Sequence, residues 1–277
     1  MEGRVILPRT KQCLMHSRVG NRPYLILVAA PDAEPPPAGF PVIYLLDGNA
    51  VFGTMVEAMR LQVQRPEKTG VVPAVIVGIG YPTDQPFSSQ RFYDFTFPVC
   101  PEELLPKPDG TPWPRSGGAG NFLSFIEEEL KPEIEKAFPV DKRNQAIVGH
   151  SLGGLFVLHV LFTRPETFRS YVAGSPSIHW NRTRLLEEER NFLARLKREP
   201  VDVRVLIAVG ELEKNHQSRV HENAAELWGR LGAHADRGVH AEFKVFEGEN
   251  HASVLTVLMS RTLRFALGPK NDRGEQR

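Results

Sequence analysis

Asn144-Gln-Ala-Ile-Val-Gly-His-Ser-Leu-Gly-Gly-Leu155 decides the reading of this chain. Its centre, Gly149-His150-Ser151-Leu152-Gly153, fits G-x-S-x-G, the nucleophile elbow. In that device a strand turns sharply into a helix and presents a serine hydroxyl above a sheet. Five such residues recur by chance, so the flanks carry the argument. Gln145-Ala-Ile-Val148 suits a buried strand and Leu155-Phe-Val-Leu-His-Val-Leu-Phe162 a buried helix. The glycines sit where a Cβ would clash across so tight a turn. The alternative, a glycine-rich turn with an incidental serine, leaves these flanks unexplained.

Outward from the elbow, apolar runs alternate with periodic segments. Tyr24–Ala30 reads as a strand ended by a Pro/Ala-rich turn, and Val42–Leu46 as a second, stopped by Asp47-Gly48. Residues 51–64 look helical and Ala74–Ile79 is a third strand. Asn121 is placed to cap a helix carrying Phe122, Phe125, Ile126, Leu130 and Ile134 on one face, kinked or restarted at Pro132. Beyond the elbow come a short strand (Tyr171–Gly174), a charged helix (183–197) and a strong strand (Val203–Val209). A helix with the stripe Val220, Ala224, Leu227 and Leu231 follows, then a strand (Phe243–Phe246) and a last helix (Val254–Leu267). This alternation predicts an α/β fold, a mostly parallel sheet of about eight strands with helices on both faces. The first strands precede any crossover helix and are free to pair antiparallel. Residues 1–267 are expected to form one domain, followed by a charged, frayed tail at 268–277.

One region breaks the rhythm. Residues 81–120 hold eight prolines together with Phe87, Phe92, Tyr93, Phe95, Phe97 and Trp113. So many aromatics argue for an ordered excursion over the strand ends, where substrates bind in open α/β sheets. Composition narrows the function further. The chain has 277 residues, 41% hydrophobic and 24% charged, with a net charge of +1 and no basic stripe, so neither nucleic acid nor an anionic membrane is suggested. No run reaches transmembrane length and no signal-peptide core is present, making a cytoplasmic protein the default, with the periplasm kept open. Cys13 and Cys100 have no metal-like spacing, so no disulfide framework or metal site is expected.

A serine needs a base to become a nucleophile, and in this fold class the partners follow in the order serine, acid, histidine. His251, in Glu247-Gly-Glu-Asn-His251 after the last strand, is the expected base. The acid should follow the strand ending at Val209, where Gly210-Glu211-Leu212-Glu213 offers two carboxylates. The spacing favours Glu213, with Glu211 the alternative and a Ser–His dyad the third reading. The oxyanion needs two donors: the backbone N–H of Leu152, after the nucleophile, and that of Asn49, in the loop after an early strand.

Together these residues resemble the Putative esterase family of α/β-hydrolases, which includes esterase D and the antigen 85 mycolyltransferases. Within it, the siderophore trilactone esterases that open enterobactin, salmochelin or bacillibactin are most similar. The matching stretches are Tyr44–Phe52, Arg91–Pro98, Gly117–Pro132, the elbow, Ser175-Pro-Ser-Ile-His-Trp180 and Gly210–Glu213 through His251. The resemblance implies a serine esterase working through an acyl-enzyme, with Ser151, His251, Asn49 and Leu152 in the roles above and no cofactor. Any ferric ion would belong to a catecholate siderophore substrate. It also implies a cleft position for Arg91, read either as a substrate cation or as an ion pair with Asp94. Phe92, Tyr93, His179 and Trp180 are the expected substrate wall; His179 departs from the family, which commonly has Trp there. The rival readings are an acyltransferase on the same scaffold, a general aryl or carboxylesterase, and a non-catalytic binding protein. Nothing in the sequence sets the oligomeric state.

Overall fold

Strands and helices alternate along most of the chain. The computed structural model describes residues 6–99, 110–214 and 217–268. Strands β1 (Thr10–His16), β2 (Pro23–Ala29) and β3 (Phe40–Leu46) come first. Helix α1 (Gly48–Gln62) and the short α2 (Pro66–Thr69) lead to β4 (Val75–Gly80). A single turn, α3 (Arg91–Asp94), lies in the excursion. Helix α4 (Ala119–Phe125) runs through a π-helical turn (Ile126–Leu130) into α5 (Lys131–Ala137). Then follow β5 (Val140–His150), α6 (Leu152–Thr163), β6 (Ser170–Gly174), α7 (Arg182–Leu196), β7 (Val203–Gly210), α8 (Val220–Gly232), β8 (Val239–Phe246) and α9 (Val254–Leu267).

The eight strands form one sheet in the order β1-β2-β4-β3-β5-β6-β7-β8. From β4 to β8 every pairing is parallel, whereas β1–β2 and β2–β4 are antiparallel. Central strands read as continuous apolar runs because both faces are covered: β3, β4 and β6 are buried at every residue. Helix α6, apolar all round, is buried from Leu152 to Phe162, while α8 buries its predicted stripe of Val220, Ala224, Leu227 and Leu231. No helix among the described residues is long and apolar enough to cross a membrane.

Three sequence expectations need correction, and one holds. Strand β1 had no apolar signature, because it is an edge strand with an exposed face pattern. Strand β5 is eleven residues long, reaching back through an irregular polar stretch to Val140, which pairs with Phe40; β8 is eight, its polar His240 and Glu242 paired with β7. Asn121 does not cap its helix; the turn begins at Ala119 and no side chain caps it. The helix does restart at Pro132, in the first turn of α5, after a π-turn that takes up the break in the hydrogen-bond ladder. Residues 269–277 of the expected tail, Cys100 and the three prolines between 101 and 108 lie outside the described residues.

After β3 the chain moves to β4 on one side and then returns to β5 on the other. The carboxyl ends of β3 and β5 therefore bound a topological switch point, the crevice where ligands bind in open α/β sheets. Gly149 makes the turn there possible: a Cβ on it would stand 2.3 Å from the Gly153 carbonyl oxygen and 2.9 Å from Leu46 Cδ1. Gly149→Val is expected to cost roughly 3 kcal/mol, as overpacking does. By contrast Gly229→Ala, in the exposed interior of α8 with open space around it, should gain about 0.5–1 kcal/mol. Chemical denaturation of both variants checks the pair.

Candidate active site

Ser151 has φ 58° and ψ −117°, a backbone conformation that a side chain other than glycine's rarely adopts. Hydrogen bonds on both sides hold it. Its N–H donates to the Gly174 carbonyl at the end of β6 (2.9 Å), and its own carbonyl accepts from Leu155 (3.0 Å) and Ser177 (3.1 Å). The hydroxyl is half-buried and hydrogen-bonded to the Ser177 hydroxyl at 3.1 Å, not to His251, in this resting arrangement.

His251 follows β8 and precedes α9. Its Nδ1 is 2.5 Å from Glu213 Oε1. The other Glu213 oxygen accepts from the Ser175 hydroxyl and from the Gly210 N–H, each at 2.6 Å. Glu213 is buried at 4% exposure. Burial works to raise its pKa, but the hydrogen bonds from His251, Ser175 and Gly210 outweigh it and hold the carboxyl below its ordinary value. A carboxylate kept charged at Nδ1 fixes the imidazole tautomer and leaves Nε2 to accept a proton. Glu211 does different work: its carboxylate accepts from the Gly248 N–H (3.0 Å) and ties down the loop that carries His251. The structure thus brings Glu213, rather than Glu211, to His251.

His150, the variable residue of the elbow, lies against the base, with ring centroids 4.6 Å apart. Burial first, then the neighbouring His251, drive its pKa down to about 3, so it forms a neutral wall. The backbone N–H groups of Asn49 and Leu152 are first-turn donors of α1 and α6, where no intrahelical acceptor exists. Neither has another partner among the described residues. The Asn49 side chain is spent on β4 and its exit: Oδ1 accepts from Tyr81 N–H (2.8 Å) and Nδ2 donates to the carbonyls of Tyr81 and Thr83. This ties the start of α1 to the end of β4 and the loop beyond it.

Arg91 is committed. Its Nε and Nη2 donate to the two oxygens of Asp47 at 2.8 and 2.9 Å, and Nη2 reaches the His150 carbonyl at 3.3 Å. Of the two sequence readings, substrate cation or ion pair with Asp94, the second had the wrong partner: Asp94 is taken by Arg22, Tyr24 and Tyr81. Asp47, at φ 52° before α1, is buried at 4% exposure and could be found only from the fold.

Two cavities meet at Ser151 and His251. The larger, about 540 Å³, has a wall of Phe92, Trp113 and Trp180, with His179, Leu212 and Ser218 around it. Trp180 packs edge-on against Trp113 at 4.8 Å and Phe92 sits 5.7 Å from both rings. Tyr93 is not part of either wall. The guanidinium groups of Arg22 and Arg115 lie over its ring, which fills the space over Gly118, so the structure does not bring Tyr93 to the wall on which the sequence placed it. Phe95 and Phe97 point into the core instead. A wider depression of about 840 Å³ lies at the amino ends of β5 and β7, the wrong end of the sheet for chemistry. Among the described residues no cluster of His, Cys, Asp and Glu could hold a metal ion. The sequence reading missed Ser175, Ser177 and Asp47, whose types are common and whose partners lie 26 to 44 residues away.

The arrangement puts a serine hydroxyl and a carboxylate-anchored imidazole on one cavity, the parts that nucleophilic attack on an ester carbonyl needs. A family model described as "Putative esterase" matches residues 17–265. The ferri-bacillibactin esterase BesA of Bacillus subtilis (strain 168) is 56% identical over 263 residues, covering 95% of this chain and 91% of that protein. A siderophore enterobactin esterase of Emericella nidulans is 40% identical over 249 residues, 80% of each chain. Among solved structures, the BES protein from Bacillus cereus matches with a TM-score of 0.89 at 46% identity, over 96% of this chain and 98% of that one. The chain belongs to the Putative esterase family and is an α/β-hydrolase, a serine hydrolase of carboxylic esters.

Proposed function

We propose that this esterase opens the lactone ring of a tri-catecholate siderophore, free or carrying its ferric ion, with Ser151 as nucleophile. The observation that carries the chemistry is the Glu213–His251 pair facing the same cavity as Ser151. His251 Nε2 takes the Ser151 proton as Oγ bonds to the ester carbon. The carbonyl oxygen gathers charge against the N–H groups of Asn49 and Leu152. As the tetrahedral intermediate collapses, the C–O bond breaks and His251 returns the proton to the leaving alkoxide. Water, deprotonated by the same imidazole, then releases the acid and restores Ser151. Before the first step the Ser151 hydroxyl swings from Ser177 toward His251, a rotation about one bond.

The similarity to esterases named for ferri-bacillibactin and enterobactin supports the substrate class. So does the aromatic wall: Phe92, Trp113 and Trp180 offer ring faces and edges to a catechol. Iron enters as substrate cargo, and no protein ligand to it is needed. Arg91 acts through others. By gripping Asp47 and the His150 carbonyl it fixes the two loops that carry the oxyanion donors.

Ser151→Ala should lower kcat by at least ~10⁴-fold, and labelling by a fluorophosphonate should vanish with it. Glu213→Gln is expected to cost roughly 10³-fold in kcat, and Glu211→Gln far less; equal, slight losses would leave a Ser–His dyad. Arg91→Lys keeps the charge but loses the fork, so kcat should fall about ten-fold or more. KM should be near normal and the loss equal for neutral and anionic esters; a rise in KM confined to anionic catecholates would make Arg91 a substrate contact. For the substrate, ferric and apo tri-catechol trilactones are assayed beside simple aryl esters. Higher kcat/KM on the trilactones is expected, and turnover of aryl esters alone would refute the siderophore assignment.

A further inference from the structure

The second cavity has no role in the chemistry just described, yet Ser151 and His251 line it too. It measures about 360 Å³ and shares Arg91, Ser151, His251 and Ala252 with the aromatic cavity. Its floor is Ala50, Val51 and Thr54 of α1, and its far wall is Leu255, Thr256 and Met259 of α9. Pro86 and Phe87 of the excursion close the rim, where Phe87 remains 45% exposed, an apolar ring left to solvent at a cavity mouth.

The chemistry of these walls is narrow. Their side chains from α1 and α9 are apolar apart from two threonine hydroxyls. The one permanent cation at the border, Arg91, is 8% exposed and has its fork spent on Asp47 and its Nη2 on the His150 carbonyl. His150, also on the wall, is neutral for the reasons given above. A carboxylate or a free catecholate oxygen would find no charge to pair with here, and burying it would be costly. An uncharged apolar or aromatic group would bury its surface against Phe87, Val51 and Met259.

We propose that this cavity is a second substrate subsite, which takes an uncharged apolar or aromatic group on the side of the scissile ester opposite the group held by Phe92, Trp113 and Trp180. The ester then lies across the junction, with its carbonyl at Ser151 and one substituent in each chamber. This deepens the trilactone reading and rests on it for the natural ligand, in the iron-free form whose catechols are protonated and whose arms are not gathered on a metal: a ring of repeated units presents an arm on both sides of every ester bond. The geometry itself asks only that both substituents be bulky.

Two variants test it. Thr54→Trp fills the chamber from α1, and Thr256→Trp fills it from an exposed position on α9, so one reports if the other fails to fold. Two series of synthetic esters are used: small alcohols with acyl groups from acetyl to naphthoyl, and acetyl esters of alcohols from methyl to naphthylmethyl. The readout is the ratio of kcat/KM for the bulkiest and smallest member of each series. We expect that ratio to fall at least ten-fold in one series, with the other series keeping its wild-type ratio. An unchanged ratio in both, or an equal fall in both, overturns the subsite. Because these esters are not siderophores, failure to hydrolyse any trilactone would remove the natural substrate without touching this result.

Discussion

The geometry of Ser151 is the constraint from which the rest of the site follows. A residue with a Cβ at φ 58° is strained, by something on the order of 1–3 kcal/mol. The neighbouring backbone holds it there: Gly174 accepts its N–H, and Leu155 and Ser177 donate to its carbonyl. Those groups belong to three elements, the end of β6, the first turn of α6 and the loop after Gly174. The nucleophile is therefore fixed by the sheet order itself, in which β6 lies beside β5.

Around that point, charge is organised by few contacts. Glu213 takes three hydrogen bonds, from His251, Ser175 and Gly210, so its carboxylate is both oriented and kept ionised. Arg91 and Asp47 form a buried ion pair. Breaking such a pair from one side leaves an uncompensated charge, worth about 3–5 kcal/mol. Glu213 serves the imidazole, and the Arg91–Asp47 pair ties the turn after β3 to the His150 carbonyl at the elbow.

Much of this was legible in the sequence where local chemistry repeats a rule. The elbow announced itself through glycines and apolar flanks, and His251 and Glu213 through chain order after two strands. The strongly periodic helices fell within a few residues of their observed ends. What stayed hidden depended on partners distant in sequence. Arg91 pairs with Asp47, 44 positions earlier, while the nearer Asp94 belongs to a cluster with Arg22, Tyr24 and Tyr81. Tyr93 looked like its neighbour Phe92, yet one faces the cavity and the other lies over Gly118, a difference set by a single turn, α3. Strand β1 was invisible because an edge strand facing solvent needs no apolar alternation.

The proposed oxyanion donors stand at the amino ends of α1, fifteen residues long, and α6, twelve residues long. Each helix carries about half a positive charge at that end from its aligned peptide dipoles. The anion would form where two macrodipoles converge, and neither contribution comes from a side chain. Residues 49 and 152 could change identity without removing the attraction, provided the two helix starts keep their aim. Here the backbone serves as the electrostatic reagent, and drift in sequence can reshape the chambers around it while the field endures.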